Sequence, residues 1–284
     1  MIREYSDNVS YNMLSSKQSY VKDFHLHNFY ELFLLLEGEI DFCIQQTLYH
    51  LLPGSLIMIN DLEIHKTINR KETPYKRIYI HIPPAFFDKY DAKDMDLTSC
   101  FTARKTGKNN LIRLEKESFS NFISLYEQLA EHDKKELPGR ELLLDTFLLQ
   151  ILIMVNHLFI RSSCHVPNSS YSAVVQDIMS YLEEHLLENI SLDSLARTFA
   201  RSKYHLCHAF KEEVGTTIFN YLLWLRIARA KSLLGEGHNV TEACFLSGFT
   251  NYNNFITTFK KHTGYTPKKY ASSLQRKKHT GSRT

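Results

Sequence analysis

The stretches SKYHLCHAFKEEVG (residues 202–215) and NYNNFITTFKKHTG (residues 251–264) match each other in register, 49 positions apart. Both end in the pattern Phe-Lys-x-x-x-Gly. In each copy the apolar residues recur at helical spacing, so they share one face and leave the opposite face free. A glycine is typical of the position just past a helix C-terminus. The repeat therefore predicts two equivalent helices, beginning near Ser202 and near Asn251.

A short apolar helix and a turn come before each copy. In front of the first copy, Leu192, Leu195 and Phe199 share one helical face, and Ser191 is a candidate N-cap. This is the order of a helix-turn-helix motif, whose second helix buries one stripe and offers the other to the DNA major groove. A longer helix, from about residue 217 to 234, is expected between the two units.

The charge distribution favours a polyanionic partner for the same region. Residues 1–170 carry 19 Lys and Arg against 22 Asp and Glu, whereas residues 171–284 carry 15 against 9. From Leu195 onward the counts are 15 against 4. Lys and Arg side chains that neutralise phosphates release bound counterions, so a basic end of this kind is typical of nucleic-acid binding.

With these motifs in place, residues 172 to about 272 resemble the DNA-binding domain of the AraC/XylS family of bacterial transcription regulators. The resemblance implies two helix-turn-helix units that enter successive major-groove segments on one face of double-stranded DNA. It also implies a homodimer, contact with RNA polymerase and activation of transcription, although the sequence itself does not distinguish activation from repression. The matching residues are Leu195, Ala196, Ser202, Leu206, Phe210, Lys211, Gly215, Arg226, Ala230, Leu233, Leu234, Gly248, Phe249, Phe255, Phe259, Lys260, Gly264, Thr266 and Pro267.

The resemblance also implies which side chains contact DNA. The base-facing residues would be Tyr204, Cys207, His208, Tyr252, Asn253, Ile256 and Thr257. The phosphate-contacting residues would be Lys203, Lys211, Lys260, Lys261, Lys268 and Lys269, which position the protein without reading sequence. Arginine is common in the family at the places of His208 and Thr257, and aspartate at the place of Asn251. The fold tolerates these departures, whereas the DNA target is expected to be particular to this chain.

The first third of the chain has a different pattern. Between residues 24 and 82, short apolar runs alternate with turn residues such as Pro53-Gly54 at roughly ten-residue spacing, which indicates an all-β barrel. Helical periodicity follows around Phe122 and Tyr126, and again from Leu142 to Phe159. The second of these segments is apolar nearly all round, so it must be buried on the barrel or against another copy of the chain.

The expected fold class is therefore multidomain α+β: an N-terminal cupin-like β-barrel, a helical hairpin, and an all-α domain with two helix-turn-helix motifs. The barrel is assigned to residues 1–110 and the hairpin, with a role in dimerisation, to residues 111–161. A polar, proline-containing linker is assigned to residues 162–171, and the DNA-binding domain to residues 172–284.

Four polar residues of the barrel reproduce much of the cupin spacing, and this segment resembles the N-terminal barrel of many AraC/XylS regulators. They are His25, His27, Glu31 and His65; Tyr79 and His81 lie on a strand that can face the same cavity. In cupin enzymes such residues converge on a metal ion. Three interpretations stay open: hydrogen bonding to an organic effector, a polar network without a ligand, and a metal site held by His25, His27, Glu31 and His65. No cofactor is assigned.

Two further functions compete with an effector-controlled regulator. One is a metal-dependent cupin enzyme with a DNA-binding tail, and the other is a regulator that needs no effector. Five scattered cysteines without a Cys-x-x-Cys pair give neither a disulfide framework nor a zinc site, which fits a reducing cytoplasm. The N-terminus lacks a secretory signal pattern, and the apolar run 147–160 is interrupted by polar residues, so no membrane partner is expected.

Overall fold

Nine antiparallel strands and ten helices make up the part of the chain that the computed structural model describes, residues 3–5, 9–16, 24–69, 73–90, 95–162 and 171–272. The strands all lie in the first 113 residues, and the helices dominate from residue 116 onward. This confirms the expected α+β class, with a β-rich N-terminal part and an all-α C-terminal part.

Two sheets enclose the N-terminal core. The six-stranded sheet has the order β1-β2-β8-β3-β6-β9 and the three-stranded sheet the order β5-β4-β7. The strands are β1 (Arg3–Tyr5), β2 (Val9–Ser16), β3 (Tyr30–Glu37), β4 (Ile40–Ile44), β5 (Thr47–Leu51), β6 (Ser55–Ile59), β7 (His65–Ile68), β8 (Tyr75–Ile82) and β9 (Leu111–Arg113). Short helices α1 (Pro84–Phe87) and α2 (Ser99–Thr102) lie between β8 and β9.

Strand β3 shows how the alternation of side chains positions the interior. Leu32 and Leu34 belong to the cluster that packs against the helices, whereas Phe33 and Leu35 belong to the cluster between the sheets. Because successive side chains of a strand point to opposite faces, Glu31 falls on the interior face with Phe33. Glu31 is thereby placed inside the barrel on a strand whose other buried positions are apolar.

Helices α3 (Lys116–His132) and α4 (Arg140–Arg161) form the expected hairpin and cover the outer face of the large sheet. Among the described helices, α4 is the one whose length and apolarity would allow a membrane span, and 44% of its most apolar window is buried inside the protein. Its buried Asn156 accepts a hydrogen bond from the Cys100 backbone N–H (2.9 Å) and donates one to the Leu97 carbonyl (2.9 Å). These bonds identify α4 as a core helix that rests on the barrel.

One expected boundary is amended by the structure. Residues 111–113, assigned to the hairpin, form β9 and pair with β6, so the barrel extends beyond residue 110. A three-residue strand is too short for its periodicity to be read from sequence. Most of the linker assigned to residues 162–171 lies outside the described residues.

Six helices form the C-terminal domain. They are α5 (Ala173–Glu184), α6 (Leu192–Thr198), α7 (Lys203–Val214), α8 (Ile218–Glu236), α9 (Val240–Leu246) and α10 (Tyr252–Thr263). Helices α6 and α7 form the first helix-turn-helix pair, α9 and α10 form the second, and the long α8 joins them. The helix starts expected near Ser202 and Asn251 and the ends expected at Gly215 and Gly264 are confirmed.

Candidate nucleic-acid interface and barrel cavity

The first helix-turn-helix unit is fixed by its caps and its apolar stripe. The Ser202 side chain accepts a hydrogen bond from the His205 backbone N–H (3.2 Å) at the start of α7. Gly215 ends α7 in the left-handed region, with φ of 72°. Leu206 and Phe210 are fully buried. The opposite face of α7 is therefore held toward solvent on a helix with defined ends.

The second unit repeats this construction with different chemistry at its start. Asn251 stands where the family commonly has aspartate, and its Oδ1 accepts from the Asn254 backbone N–H (2.9 Å), so the capping function is retained. Gly248, in the turn before it, has φ of +89°, and a Cβ there would lie 2.4 Å from the Leu186 carbonyl oxygen. The turn between α9 and α10 thus requires glycine both for its φ and for the close approach of Leu186.

The residues expected to face DNA bases lie on the outer faces of α7 and α10. Tyr204 is 78% exposed, and its ring stacks on His208 with centroids 5.7 Å apart. Tyr252, Asn253 and Thr257 are exposed, and Cys207 and Ile256 are partly buried against the domain core. The seven residues lie on the two helix faces that the fold leaves open.

All six candidate phosphate contacts are exposed lysines of the helical domain: Lys203, Lys211, Lys260, Lys261, Lys268 and Lys269. Lys203 is engaged with Asp193 of the neighbouring helix α6, with Nζ and Oδ1 2.6 Å apart. Phosphate binding by Lys203 must therefore compete with this ion pair, whereas Lys260 and Lys261 extend from the last turn of α10.

A cavity of about 500 Å³ opens inside the barrel, within the size range of small-molecule sites. All six sequence-predicted pocket residues line it: His25, His27, Glu31, His65, Tyr79 and His81. Phe29 and Arg77 also line it and were not predicted. Arg77 precedes Tyr79 by two positions on β8, so the period of two along that strand was the signal that could have found it.

Three histidines surround the Glu31 carboxylate. Its Oε2 lies 2.9 Å from His27 Nε2, 3.5 Å from His65 Nε2 and 3.7 Å from His81 Nε2. Burial opposes ionisation of Glu31, but its contacts with these histidines, first of all with His27, hold its pKa well below the usual range. Burial also lowers the pKa of His27 to about 4. The cavity thus contains a carboxylate and a buried neutral imidazole.

Hydrogen bonds from Nδ1, the ring nitrogen that points away from Glu31, fix the orientation of His27 and His65. The Nδ1 of His27 donates to the Phe29 carbonyl (2.8 Å), and the Nδ1 of His65 donates to the Glu63 carbonyl (2.9 Å). Phe29 also stacks on the His27 ring, with centroids 3.9 Å apart. The imidazoles are therefore oriented by the backbone.

The outer face of the small sheet packs against the helical domain, a contact that the sequence analysis did not predict. One apolar cluster combines Leu26, Cys43 and Ile64 of the barrel with residues of α5, α7 and α8. The hydroxyl of Tyr171, just before α5, donates to the Cys43 thiol at 2.9 Å. The barrel and the DNA-binding domain thus share a core.

Polar contacts at this interface involve α8 and the second helix of each helix-turn-helix unit. These second helices, α7 and α10, are called the recognition helices below. The Asn28 side-chain amide donates to the Thr263 carbonyl at the end of α10 (2.8 Å), and the Lys66 Nζ donates to the Val214 carbonyl at the end of α7. The Lys231 Nζ of α8 donates to the His27 carbonyl (2.9 Å) and to the Asp61 carbonyl. Three of the four barrel residues in these contacts, His27, Asn28 and Lys66, are cavity residues or the chain neighbours of cavity residues.

Comparison with families of known proteins matches both parts of the chain. A family model described as an AraC-like ligand binding domain matches residues 15–152, and one described as a helix-turn-helix domain matches residues 195–273. Together these two segments include the six predicted cavity residues, most of the first helix-turn-helix unit and all of the second.

Individual relatives and solved structures are similar over shorter or longer spans. An uncharacterised HTH-type transcriptional regulator, YbfI of Bacillus subtilis, is 26% identical over 232 residues, covering 81% of this chain and 80% of the relative. The transcriptional activator RhaS of Salmonella schwarzengrund is 29% identical over 148 residues, about half of each chain. The structure of wild-type ToxT from Vibrio cholerae with a bound unsaturated fatty acid is 15% identical with a TM-score of 0.42, covering 95% of this chain and 96% of that one.

Proposed function

Because this chain belongs to the AraC family of DNA-binding transcription regulators with an N-terminal ligand-binding domain, we propose that a small molecule in the barrel cavity controls its binding to specific DNA. The observation that carries this proposal is the shared position of residues 25–28 and 65–66. These segments line the cavity with His25, His27 and His65, and they also contact the ends of both recognition helices.

Ligand binding can be coupled to DNA binding because these segments line the cavity on one face and contact the helical domain on the other. A ligand changes an equilibrium only as far as it binds one arrangement more tightly than the other. A ligand that shifts His27 or His65 also moves the backbone that accepts from Lys231 and carries Lys66. The contacts at Val214 and Thr263 then favour one arrangement of the recognition helices over another.

DNA contacts belong to the same proposal. The exposed faces of α7 and α10 read bases through Tyr204, Cys207, His208, Tyr252, Asn253, Ile256 and Thr257. The lysines at 203, 211, 260, 261, 268 and 269 contact phosphates. An asparagine can form two hydrogen bonds to the major-groove edge of adenine, so Asn253 is the strongest candidate for a base-specific contact.

The proposal extends to the assembly and the setting of the protein. Leu142 and Ile160 of α4 are 65% and 69% exposed, which supports a homodimer through the hairpin. We include cytoplasmic location, contact with RNA polymerase and the absence of enzymatic activity, because the characterised relatives are transcription regulators. We place the barrel at residues 1–110 with β9 added to it, the hairpin in the following residues up to 161, the linker at 162–171 and the DNA-binding domain at 172–284.

Selection from random double-stranded DNA with the full-length protein tests this function. We expect enrichment of one site, and two copies of a half-site if the protein binds as a dimer. Binding should weaken with salt in proportion to the phosphates contacted. Recovery of a random pool from a folded protein, at low as well as physiological salt, would contradict sequence-specific regulation.

A further inference from the structure

The cavity brings three imidazole nitrogens and a carboxylate together in the pattern of a ligand set. One ring nitrogen from each of His25, His27 and His65 lies within 4.8 Å of the other two. Glu31 Oε2 lies 2.9 Å from the Nε2 of His27 and 3.5 Å from that of His65. Imidazole nitrogen with one carboxylate oxygen suits zinc, iron and related first-row divalent ions, whereas magnesium and calcium prefer oxygen ligands.

Hydrogen bonds from the Nδ1 atoms of His27 and His65 orient both rings so that their Nε2 atoms point toward Glu31. A backbone carbonyl only accepts, so the Nδ1 atoms of His27 and His65 carry the protons that reach Phe29 and Glu63. In a neutral imidazole this leaves a lone pair on Nε2, facing Glu31. Histidines that bind metals typically donate their other ring N–H to a carbonyl or carboxylate in this way.

The buried nitrogen of His65 supplies an independent observation. The His65 side chain is 1% exposed, and within the described part of the chain its Nε2 has no hydrogen-bond partner, since the 3.5 Å to Glu31 is too long for one of ordinary geometry. A buried polar atom left in this state destabilises the fold. The neighbouring Glu31 oxygen is also an acceptor, so a cation between these atoms satisfies both.

We propose that the cavity binds one first-row divalent transition-metal ion through His25, His27, His65 and Glu31. The ion is then the effector itself or the group that holds the effector in the cavity, so this proposal rests on the proposed function. Tetrahedral ligands at 2.0–2.1 Å from zinc lie about 3.3 Å apart. The nitrogens lie within 4.8 Å of one another, so metal binding requires any pair that is farther apart than about 3.3 Å to move closer together. This movement displaces the segments that contact Lys231 and Val214.

Equilibrium dialysis of the full-length, chelator-treated protein against Co²⁺, Zn²⁺ or Mg²⁺ tests the site, with bound metal measured by mass spectrometry. We expect one Co²⁺ or Zn²⁺ per chain and no Mg²⁺, with a cobalt absorption spectrum of nitrogen and oxygen ligation. His27→Gln and His65→Gln should each weaken binding at least about 100-fold. If His65→Gln does not fold, His25→Gln replaces it, because the His25 side chain is only partly buried.

His50→Gln is the matched control, since His50 is a barrel histidine outside the cavity whose side chain is 54% exposed. Equal Zn²⁺ affinity of His27→Gln and His50→Gln, or folded wild-type protein without bound Co²⁺ and Zn²⁺, would overturn the proposal. The DNA selection described above, run on the same preparation, separates the two proposals. Specific DNA binding without metal binding removes only the metal site; stoichiometric metal without an enriched DNA site removes only the regulatory function.

Discussion

Replacing Lys231 with methionine is expected to loosen the barrel from the DNA-binding domain while both remain folded. Lys231 is 1% exposed in the middle of α8, and its Nζ donates to the carbonyls of His27 and Asp61. The Asp61 carboxylate lies 3.5 Å from the same nitrogen. Methionine keeps most of the aliphatic packing of lysine but leaves the two carbonyls and the carboxylate without this donor.

The size of the effect follows from two opposing contributions. Breaking a buried ion pair by removing one partner costs about 3–5 kcal/mol, and hydrogen bonds to charged groups contribute about 1.5–3 kcal/mol each. Burial nevertheless lowers the pKa of Lys231 in spite of Asp61, so desolvation of the ammonium offsets part of that stabilisation. We therefore expect the interface to weaken by about 2 kcal/mol, equivalent to a roughly 30-fold larger population of the separated form.

The Cys43 thiol reports this separation directly. It is fully buried, it lies under Tyr171 of the helical domain, and burial raises its pKa to about 11. Its reaction with a thiol reagent therefore requires the domains to open. Labelling of the Cys43 peptide, followed by mass spectrometry, should be about 30-fold faster in Lys231→Met than in the wild-type protein. A weak dependence on low urea concentrations would identify local opening rather than global unfolding.

Arg229→Met is the matched control, because Arg229 lies two residues earlier on α8, its side chain is 47% exposed, and its ion pair within the described residues is a 3.8 Å contact with Glu236. We expect its Cys43 labelling rate to stay within about twofold of wild type, since exposed ion pairs contribute little. Equal labelling rates in Lys231→Met and Arg229→Met would refute the docking of the barrel on α8.

Substitutions at four other positions test the DNA-binding domain. Asn253→Ala should reduce the preference for one base pair by about 1–3 kcal/mol. Lys261→Ala should instead weaken binding to all sequences and reduce by about 1 the slope of the logarithm of affinity against the logarithm of salt concentration. Affinities for the selected site and its single-base variants, measured at several salt concentrations, distinguish the two effects. Gly248→Ala should lower the free energy of unfolding in urea by clearly more than the roughly 1 kcal/mol expected for Gly237→Ala, because only the first Cβ meets a neighbour, and equal losses would contradict the tight turn. Asn251→Ala should cost about 1 kcal/mol in the same measurement and Asn251→Asp almost nothing, whereas a costly aspartate would contradict the capping role.

The helix-turn-helix units could be predicted almost to the residue, because local chemistry determines them. The side chains of Ser202 and Asn251 cap their own helices, and glycines in the left-handed region end them at 215 and 264. These are contacts within three or four residues, and they recur twice in register. The strand β9 could not be predicted in this way, since three residues carry no usable period and the strand exists through its pairing with β6.

The cavity was predictable in composition but not in its arrangement. Spacing indicated which polar residues share the barrel interior, yet it did not show that three Nε2 atoms lie around one Glu31 oxygen. That geometry depends on the pairing of distant segments, such as the bridge between His25 and His65. Hydrogen bonds from the Nδ1 atoms to backbone carbonyls then set the ring orientations, and these carry no sequence signal of their own.

The alternation of side chains along extended segments explains why a ligand in the cavity is well placed to influence the DNA-binding domain. Along residues 24–28 the odd positions His25 and His27 line the cavity, whereas Phe24 and Leu26 pack on the helical domain. Along β7, His65 lines the cavity and Lys66 donates to the end of α7. Neighbouring residues on opposite faces share a peptide group, and cores of native density transmit small shifts rather than absorbing them. A displacement at an imidazole is therefore transmitted through a single peptide group to residues that bind the last carbonyls of α7 and α10.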